Sequence, residues 1–350
     1  YIYNGTDFDI RLIQIEIAGC ATPPMGYVEI PPGGFYERRL LAICRGDVSG
    51  GEAVFYVPKL GVEVRRSARV HVKQFMAKVE RDYLNEPVEA LRGLPPQMPM
   101  MPRYTELIKI GRWQVVGEIE GGYNKVFVCE DKDGRRGVIK LPRSAFSRGF
   151  RPRRIPREEV ERIKREGEIL GKLQALRREG IKHLPEMLDY GQVEGLPYVV
   201  LKYYPRGNIK RAAGKLSEGD ALKVVYQLGA TLLKLHERGV VERHGDIKPE
   251  NVLIDDDGVV VLTDFAVSAG RAAEITELRG TPGYFCDQPD DRADVYALNK
   301  LLVELIHGVG APISKLGMPL LRVARKAARC EDAPHMREYV EDLKELLAYY

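Results

Sequence analysis

The run His244-Gly245-Asp246-Ile247-Lys248-Pro249-Glu250-Asn251 constrains this chain more than any other stretch. An apolar helix, predicted from Ala221 to His236, leads into it. Val252-Leu253-Ile254 follows, and after an Asp-Asp-Asp-Gly turn Val259-Val260-Val261-Leu262 runs into Thr263-Asp264-Phe265. Apolar runs bounded by turn residues read as strands. Carboxylates, a lysine and an amide are thus set between segments that must be buried.

The chain has 350 residues, which suggests more than one domain, because single cores seldom grow past about 250 residues. Residues 1–93 read as a β-rich accessory domain. Ile13, Ile15 and Ile17 alternate with Gln14 and Glu16, Val62 and Val64 with Glu63 and Arg65, and Val70 and Val72 flank His71. This period-two pattern marks half-buried strands. Asn4-Gly5, Pro23-Pro24, Pro31-Pro32-Gly33-Gly34 and Ser49-Gly50-Gly51 supply the turns, so a small sandwich or barrel is expected. His71, alone on a strand, reads as structural. A helix over Phe75–Arg92, broken or started near Pro87, closes the region. Residues 94–103 hold Pro95, Pro96, Pro99 and Pro102 and read as a semi-rigid linker. A second domain spans 104–350.

Net charge is +4, too small to argue for nucleic acid, and no apolar run reaches the ~18 residues of a membrane span. Basic charge is local: Arg143, Arg148, Arg151, Arg153, Arg154 and Arg157 crowd one stretch punctuated by Pro142, Pro152 and Pro156. That stretch is either a solvated loop or a docking site for an acidic or phosphorylated partner. The chain opens at Tyr1 rather than Met, which leaves room for an upstream segment. No Cys-x-x-Cys pair occurs among Cys20, Cys44, Cys129, Cys286 and Cys330, which argues against zinc. Buried free thiols are expected, with a Cys20–Cys44 bridge as the alternative.

In the second domain Val115–Val126 places Gly117, Gly121 and Gly122 between strands, either as a plain hairpin turn or as a loop whose N–H groups approach phosphates. Lys140 ends the apolar strand Val138-Ile139. A helix is predicted from Glu158 to about Arg178 on the spacing of Val160, Ile163, Ile169, Leu170, Leu173 and Leu176. It carries Glu161, Glu166 and Glu168. Leu196–Leu201 reads as a buried strand entering a loop at Lys202, Tyr203 and Tyr204.

With Asp246, Lys248, Asn251 and Asp264 at these mutual spacings, residues 104–350 resemble the Ser/Thr protein kinase superfamily in its divergent prokaryotic form. The resemblance implies an α+β, two-lobed kinase fold, with a β-rich N-lobe (104–201) and a helical C-lobe (205–350), preceded by the small all-β, sandwich-like domain. It implies an ATP-dependent transfer of the γ-phosphate to protein hydroxyls. Asp246 would orient the attacking hydroxyl and Lys248 neutralise the moving phosphoryl group. Asn251 and Asp264 would ligate Mg²⁺, with Mn²⁺ as a substitute. Lys140 would reach the α- and β-phosphates, held by Glu166, with Glu161 and Glu168 as rivals. Gly117, Gly121, Gly122 and Val126 would cover the phosphates. Lys202, Tyr203 and Tyr204 would form the adenine hinge behind Leu201. The partner is a protein substrate, and the need for ATP points to the cytoplasm.

Departures from the pattern are specific. In G-x-G-x-x-G-x-V aligned on Val126, only Gly121 remains, with Ile119 and Asn124 in the outer positions. His-Arg-Asp is His244-Gly245-Asp246, so control by activation-loop phosphorylation through that arginine is not expected. Asp-Phe-Gly is Asp264-Phe265-Ala266. Arg279-Gly280-Thr281-Pro282-Gly283-Tyr284 matches the substrate-positioning segment, with Thr281 expected to contact Asp246 and Lys248, but Ala-Pro-Glu has become Cys286-Asp287-Gln288. Asp294 is expected to brace the catalytic loop from a buried helix. Two other readings stand beside the kinase: a pseudokinase scaffold, and a small-molecule phosphotransferase of the aminoglycoside or choline kinase type.

Overall fold

The computed structural model describes residues 2–3, 10–17, 20–21, 28–32, 35–36, 43–44, 51–57, 62–68, 83–97, 108–119, 124–146, 155–265, 283–348 and 350. The chain forms two compact units, Tyr1–Arg81 and Asp82–Tyr350.

In the first unit the described strands are β1 (Ile2–Tyr3), β2 (Ile10–Ile17), β3 (Cys20–Ala21), β4 (Val28–Ile30), β5 (Phe35–Tyr36), β6 (Ile43–Cys44), β7 (Gly51–Val57) and β8 (Val62–Ala68). A four-stranded antiparallel sheet has the order β4-β2-β7-β8, and β1–β5 and β3–β6 are separate ladders. Two of the alternating runs expected from sequence fall in β2 and β8, and the β3–β6 register sets Cys20 opposite Cys44. The Val70–Val72 run and the helix expected from Phe75 lie outside the described residues up to position 82. Beyond it only α1 (Glu89–Arg92) is helical. Residues 83–88 are not, in keeping with Pro87, whose ring disfavours helix in the residue before it.

The second unit starts ahead of the boundary that composition suggests, because residues 83–97 are bound to it as a strap. Val88 and Leu91 are fully buried and Leu84 nearly so. Gln227 Nε2 donates to the carbonyls of Tyr83 (2.9 Å) and Glu86 (2.6 Å). Val88 N–H donates to Gly258 O at 3.1 Å. Gly258 has φ +78°, and a Cβ there would lie 2.8 Å from Val88 O, so glycine is required both for the turn and for the strap's approach. Arg206 donates to the carbonyls of Arg92 and Leu94, and Gln97 N–H to Pro205 O at 2.6 Å. Of the run 94–103 that reads as a semi-rigid linker, residues 94–97 are held by backbone bonds, the carbonyls of Leu94 and Pro95 accepting from Arg206 and Arg211, while residues 98–103 lie outside the described residues.

The N-lobe is a six-stranded antiparallel sheet of order β13-β14-β12-β11-β10-β9. Its strands are β9 (Lys109–Ile110), β10 (Trp113–Ile119), β11 (Asn124–Glu130), β12 (Arg136–Pro142), β13 (Met187–Val193) and β14 (Leu196–Lys202). Trp113, Phe127, Ile139, Leu141 and Val200 fill one face. Helix α2 (Arg157–Arg178) packs against β12 and β14 with Ile163, Leu170 and Leu173 buried. In the C-lobe, α3 (Glu218–Glu237) starts at Ser217, whose side chain accepts from Asp220 N–H, and buries most of its length. It packs on α4 (Arg292–His307) and α6 (Met336–Leu347), with α5 (Met318–Lys326) against α6. The hairpin β15 (Val252–Ile254) and β16 (Val260–Leu262) carries the polar run at its base.

Among the cysteines, the structure departs from the expectation of free thiols: Cys286 and Cys330 form a disulfide, while Cys129 is free. The paired residues are 44 positions apart, and nothing local in the sequence announces their proximity.

Burial of Val88 and Leu91 is worth roughly 3–6 kcal/mol as an upper estimate. A chain beginning at Tyr104 is therefore expected to melt on the order of 5–10 °C below one beginning at Asp82. Equal melting temperatures would mean that the strap adds nothing to the unit.

Candidate active site

Strand β12 sets Lys140 between Val126 of β11 and Val199 of β14, on the side opposite the Ile139 and Leu141 core. Its Nζ lies 2.6 Å from Glu166 Oε1 and 3.4 Å from Asp264 Oδ1. Glu166 is fully buried on α2, while Glu161 pairs with Lys164 and Glu168 is exposed. Of the three glutamates, Glu166 is thus the one that meets Lys140. Its Oε2 is buried without a partner among the described residues.

Burial alone would lower the pKa of Lys140, but Asp264 and then Glu166 outweigh it, and the ammonium is held above its usual range. Burial raises Glu166, with the ammonium of Lys140 opposing. For Asp264, burial pushes upward, yet the ammonium of Lys140 prevails and the carboxylate is held below its usual range. Asp264 sits at φ +69°, in the left-handed region that a non-glycine residue adopts only when its surroundings enforce it.

The polar run forms a second cluster. Lys248 Nζ contacts both carboxylate oxygens of Asp246, at 3.0 and 2.7 Å. Asn251 Nδ2 donates to Asp246 O (2.8 Å) and Oδ2 (2.9 Å). Thr263 N–H donates to Asn251 O at 2.9 Å, which ties the loop to the segment bearing Asp264. The His244 ring is buried edge-on to Phe265, and burial lowers its pKa, which favours the neutral imidazole. Gly245 takes φ +79°, a conformation that suits glycine better than the arginine of the usual motif. Asp294, in the first turn of α4, accepts the N–H groups of His244 (2.7 Å) and Gly245 (2.9 Å), the bracing expected from sequence.

At the hinge the side chains are engaged elsewhere. Lys202 pairs with Asp255 at 3.0 Å, Tyr203 donates its hydroxyl hydrogen to Gln97 O, and the buried Tyr204 accepts from Glu186 N–H. No carbonyl of the described residues accepts from the Tyr204 N–H. Gly117 lies within β10 opposite Val128, and Val126 within β11 opposite Ile119 and Lys140. Gly121 and Gly122 lie outside the described residues, as do Ala266, Thr281, Arg148, Arg151, Arg153 and Arg154. At the base of the arginine-rich stretch, Ser144 N and Oγ each bond Glu159 at 2.8 Å, anchoring it to α2.

Sequence reasoning missed Arg243. It is nearly buried and donates to Gln288 O. Its place beside His244 was the available signal.

Replacing Asp294 by Ala would strip one buried and one half-buried N–H group of a charged acceptor, a loss of about 3–5 kcal/mol. Chemical denaturation should record it. A loss below ~1 kcal/mol would mean that the loop stands without this carboxylate.

The family described as "Protein kinase domain" matches residues 114–335. The probable serine/threonine-protein kinase pknA2 of Bifidobacterium longum is 30% identical over 213 residues, which cover 57% of this chain and 27% of that protein. The serine/threonine-protein kinase PknH of Mycobacterium bovis is 31% identical over 204 residues, covering 54% of this chain and 31% of that protein. The chain thus spans less than a third of the length of these relatives. A crystal structure of the Mycobacterium tuberculosis PknI kinase domain aligns with a TM-score of 0.49 and 19% identity, covering 70% of this chain and 99% of that one. With the matched region extending over more than half of its length, the chain belongs to the protein kinase domain family.

Proposed function

We propose that the protein is an ATP-dependent Ser/Thr protein kinase. The observation that carries this reading is the convergence of Lys140, held by Glu166, on Asp264, beside a second cluster in which Lys248 and Asn251 hold the Asp246 carboxylate.

The residues fit a hard divalent cation. Asn251 spends its amide hydrogens on Asp246, leaving Oδ1 as the ligand atom, and Asp264 remains partly open to solvent. Oxygen donors of this kind suit Mg²⁺ or Mn²⁺. The cation would be held by Asn251 and Asp264 and would neutralise phosphate charge. Lys140, fixed by Glu166, binds the α- and β-phosphate oxygens. The strands bearing Gly117 and Val126, with Gly121 and Gly122 between them, cover the phosphates. The Tyr204 N–H donates to the adenine edge, with Lys202 and Tyr203 completing the hinge. Asp246 receives the proton of the attacking Ser or Thr hydroxyl, while Lys248 fixes its carboxylate and offsets charge on the phosphoryl group in flight. Positioning and electrostatics supply most of such a rate enhancement.

The test uses radiolabelled ATP, Mg²⁺ and a generic basic protein. Wild type should label serine and threonine. Asp264→Asn should reduce transfer to background with the fold kept, and Asp246→Asn should slow turnover by ~100-fold or more while ATP binding holds. An Asp246→Asn protein that keeps more than about a tenth of wild-type turnover would contradict the assignment.

A further inference from the structure

Residues 283–291 follow directly on the Gly280-Thr281-Pro282 run that resembles a substrate-positioning segment. The Ala-Pro-Glu expected after it is absent, yet the strip is not loose. Cys286, nearly buried, is bonded to Cys330. The buried guanidinium of Arg243, with no carboxylate partner among the described residues, donates to Gln288 O. Asp291 accepts from His335 Nδ1 at 2.7 Å and from Met336 N–H at 3.0 Å, at the start of α6. These ties hold one edge of the strip against residues 330–336 and the catalytic loop. Side chains alternate along it: the Tyr284 hydroxyl is buried beside Glu304, Phe285 stands 50% exposed, and Cys286 turns inward. An outward aromatic on a strip pinned from behind is a surface for an extended peptide.

We propose that the Cys286–Cys330 disulfide is a positioning element for the protein substrate, fixing the strip 283–291 on the helical lobe without any phosphorylated residue. Arg243 shares this role through Gln288. The inference rests on the protein kinase reading. Reduction by a dithiol such as dithiothreitol delivers two electrons and two protons, breaks the sulfur–sulfur bond to give two thiols, and leaves the reagent as its own cyclic disulfide. The strip then keeps only its non-covalent ties. Binding of the protein substrate weakens, whereas the Lys140, Asn251 and Asp264 groups, on other segments, are untouched.

The experiment compares the full chain oxidised and reduced, alongside Cys330→Ser. Three readouts are taken: KM for the basic protein, KM for ATP, and amide hydrogen exchange of residues 283–291. Reduction of wild type is expected to raise the protein KM by about fivefold or more, leave the ATP KM within about twofold, and speed exchange in the strip. Cys330→Ser should match reduced wild type and ignore the reductant. Unchanged exchange on reduction would overturn the proposal whatever the activity. So would parallel changes in both KM values, or protein isolated with zinc in place of the disulfide at Cys286, Asp287 and Cys330, whose ligand atoms lie within 4.8 Å of one another. Absence of phosphate transfer in both redox states would instead sink the kinase reading, leaving the exchange result to judge the disulfide.

Discussion

The contact of Lys140 with Glu166 and Asp264 is the constraint around which the second unit is organised. It draws one group from a central strand, one from α2 and one from the segment after β16. Each is costly to bury alone, since an ion moved out of water loses several kcal/mol of hydration. Together they satisfy part of that demand: Glu166 has no exposure, and the carboxylates of Asp264 and Glu166 offset the downward push that burial exerts on the Lys140 pKa. The arrangement therefore fixes where α2 sits on the sheet and how the lobes' reactive groups face one another. The left-handed backbone at Asp264 belongs to the same device, strain held in place by surrounding contacts and spent on aiming a carboxylate.

The loop that bears Asp246 obeys a parallel logic. Asp294 holds the loop's backbone from below, Asn251 and Lys248 hold Asp246 from the side, and His244 with Phe265 joins the loop to the segment bearing Asp264. The strap adds a third support. It bonds α3 at Gln227, the β15–β16 turn at Gly258 and the hinge at Pro205. The hinge of this kinase unit is thus tied to residues upstream of the family's matched region.

The polar residues of the site were legible because their chemistry fixes type and spacing together. Asp246, Lys248 and Asn251 lie on one short loop, and Asp264 follows a strand pair of fixed length. Spacing alone left Glu161, Glu166 and Glu168 together on one predicted helix, and in the structure Glu166 is the one that is fully buried and lies 2.6 Å from Lys140. Tertiary pairings were not legible. Cys286–Cys330 and Arg243–Gln288 join segments more than 40 residues apart. The strap's attachment was not legible either, because it rests on the burial of Val88 and Leu91 and on backbone N–H and carbonyl bonds that leave no mark in the sequence. Of the first unit, the alternation in β2 and β8 was visible, while its partner's chemistry leaves no mark in the pattern.

The most direct measurement is a double-mutant cycle on Lys140 and Glu166, reading folding free energy by denaturation and nucleotide affinity by titration with Mg-ATP. Each single change, Lys140→Met or Glu166→Gln, leaves a buried charge or amide without its partner and should cost about 3–5 kcal/mol in stability. The double variant should cost clearly less than their sum, with a coupling of about 1–3 kcal/mol, and either single change should weaken Mg-ATP binding about as much as both together. Additive losses in stability and in affinity would contradict the account, for they would mean that Lys140 and Glu166 act independently and that the buried contact does not organise the site.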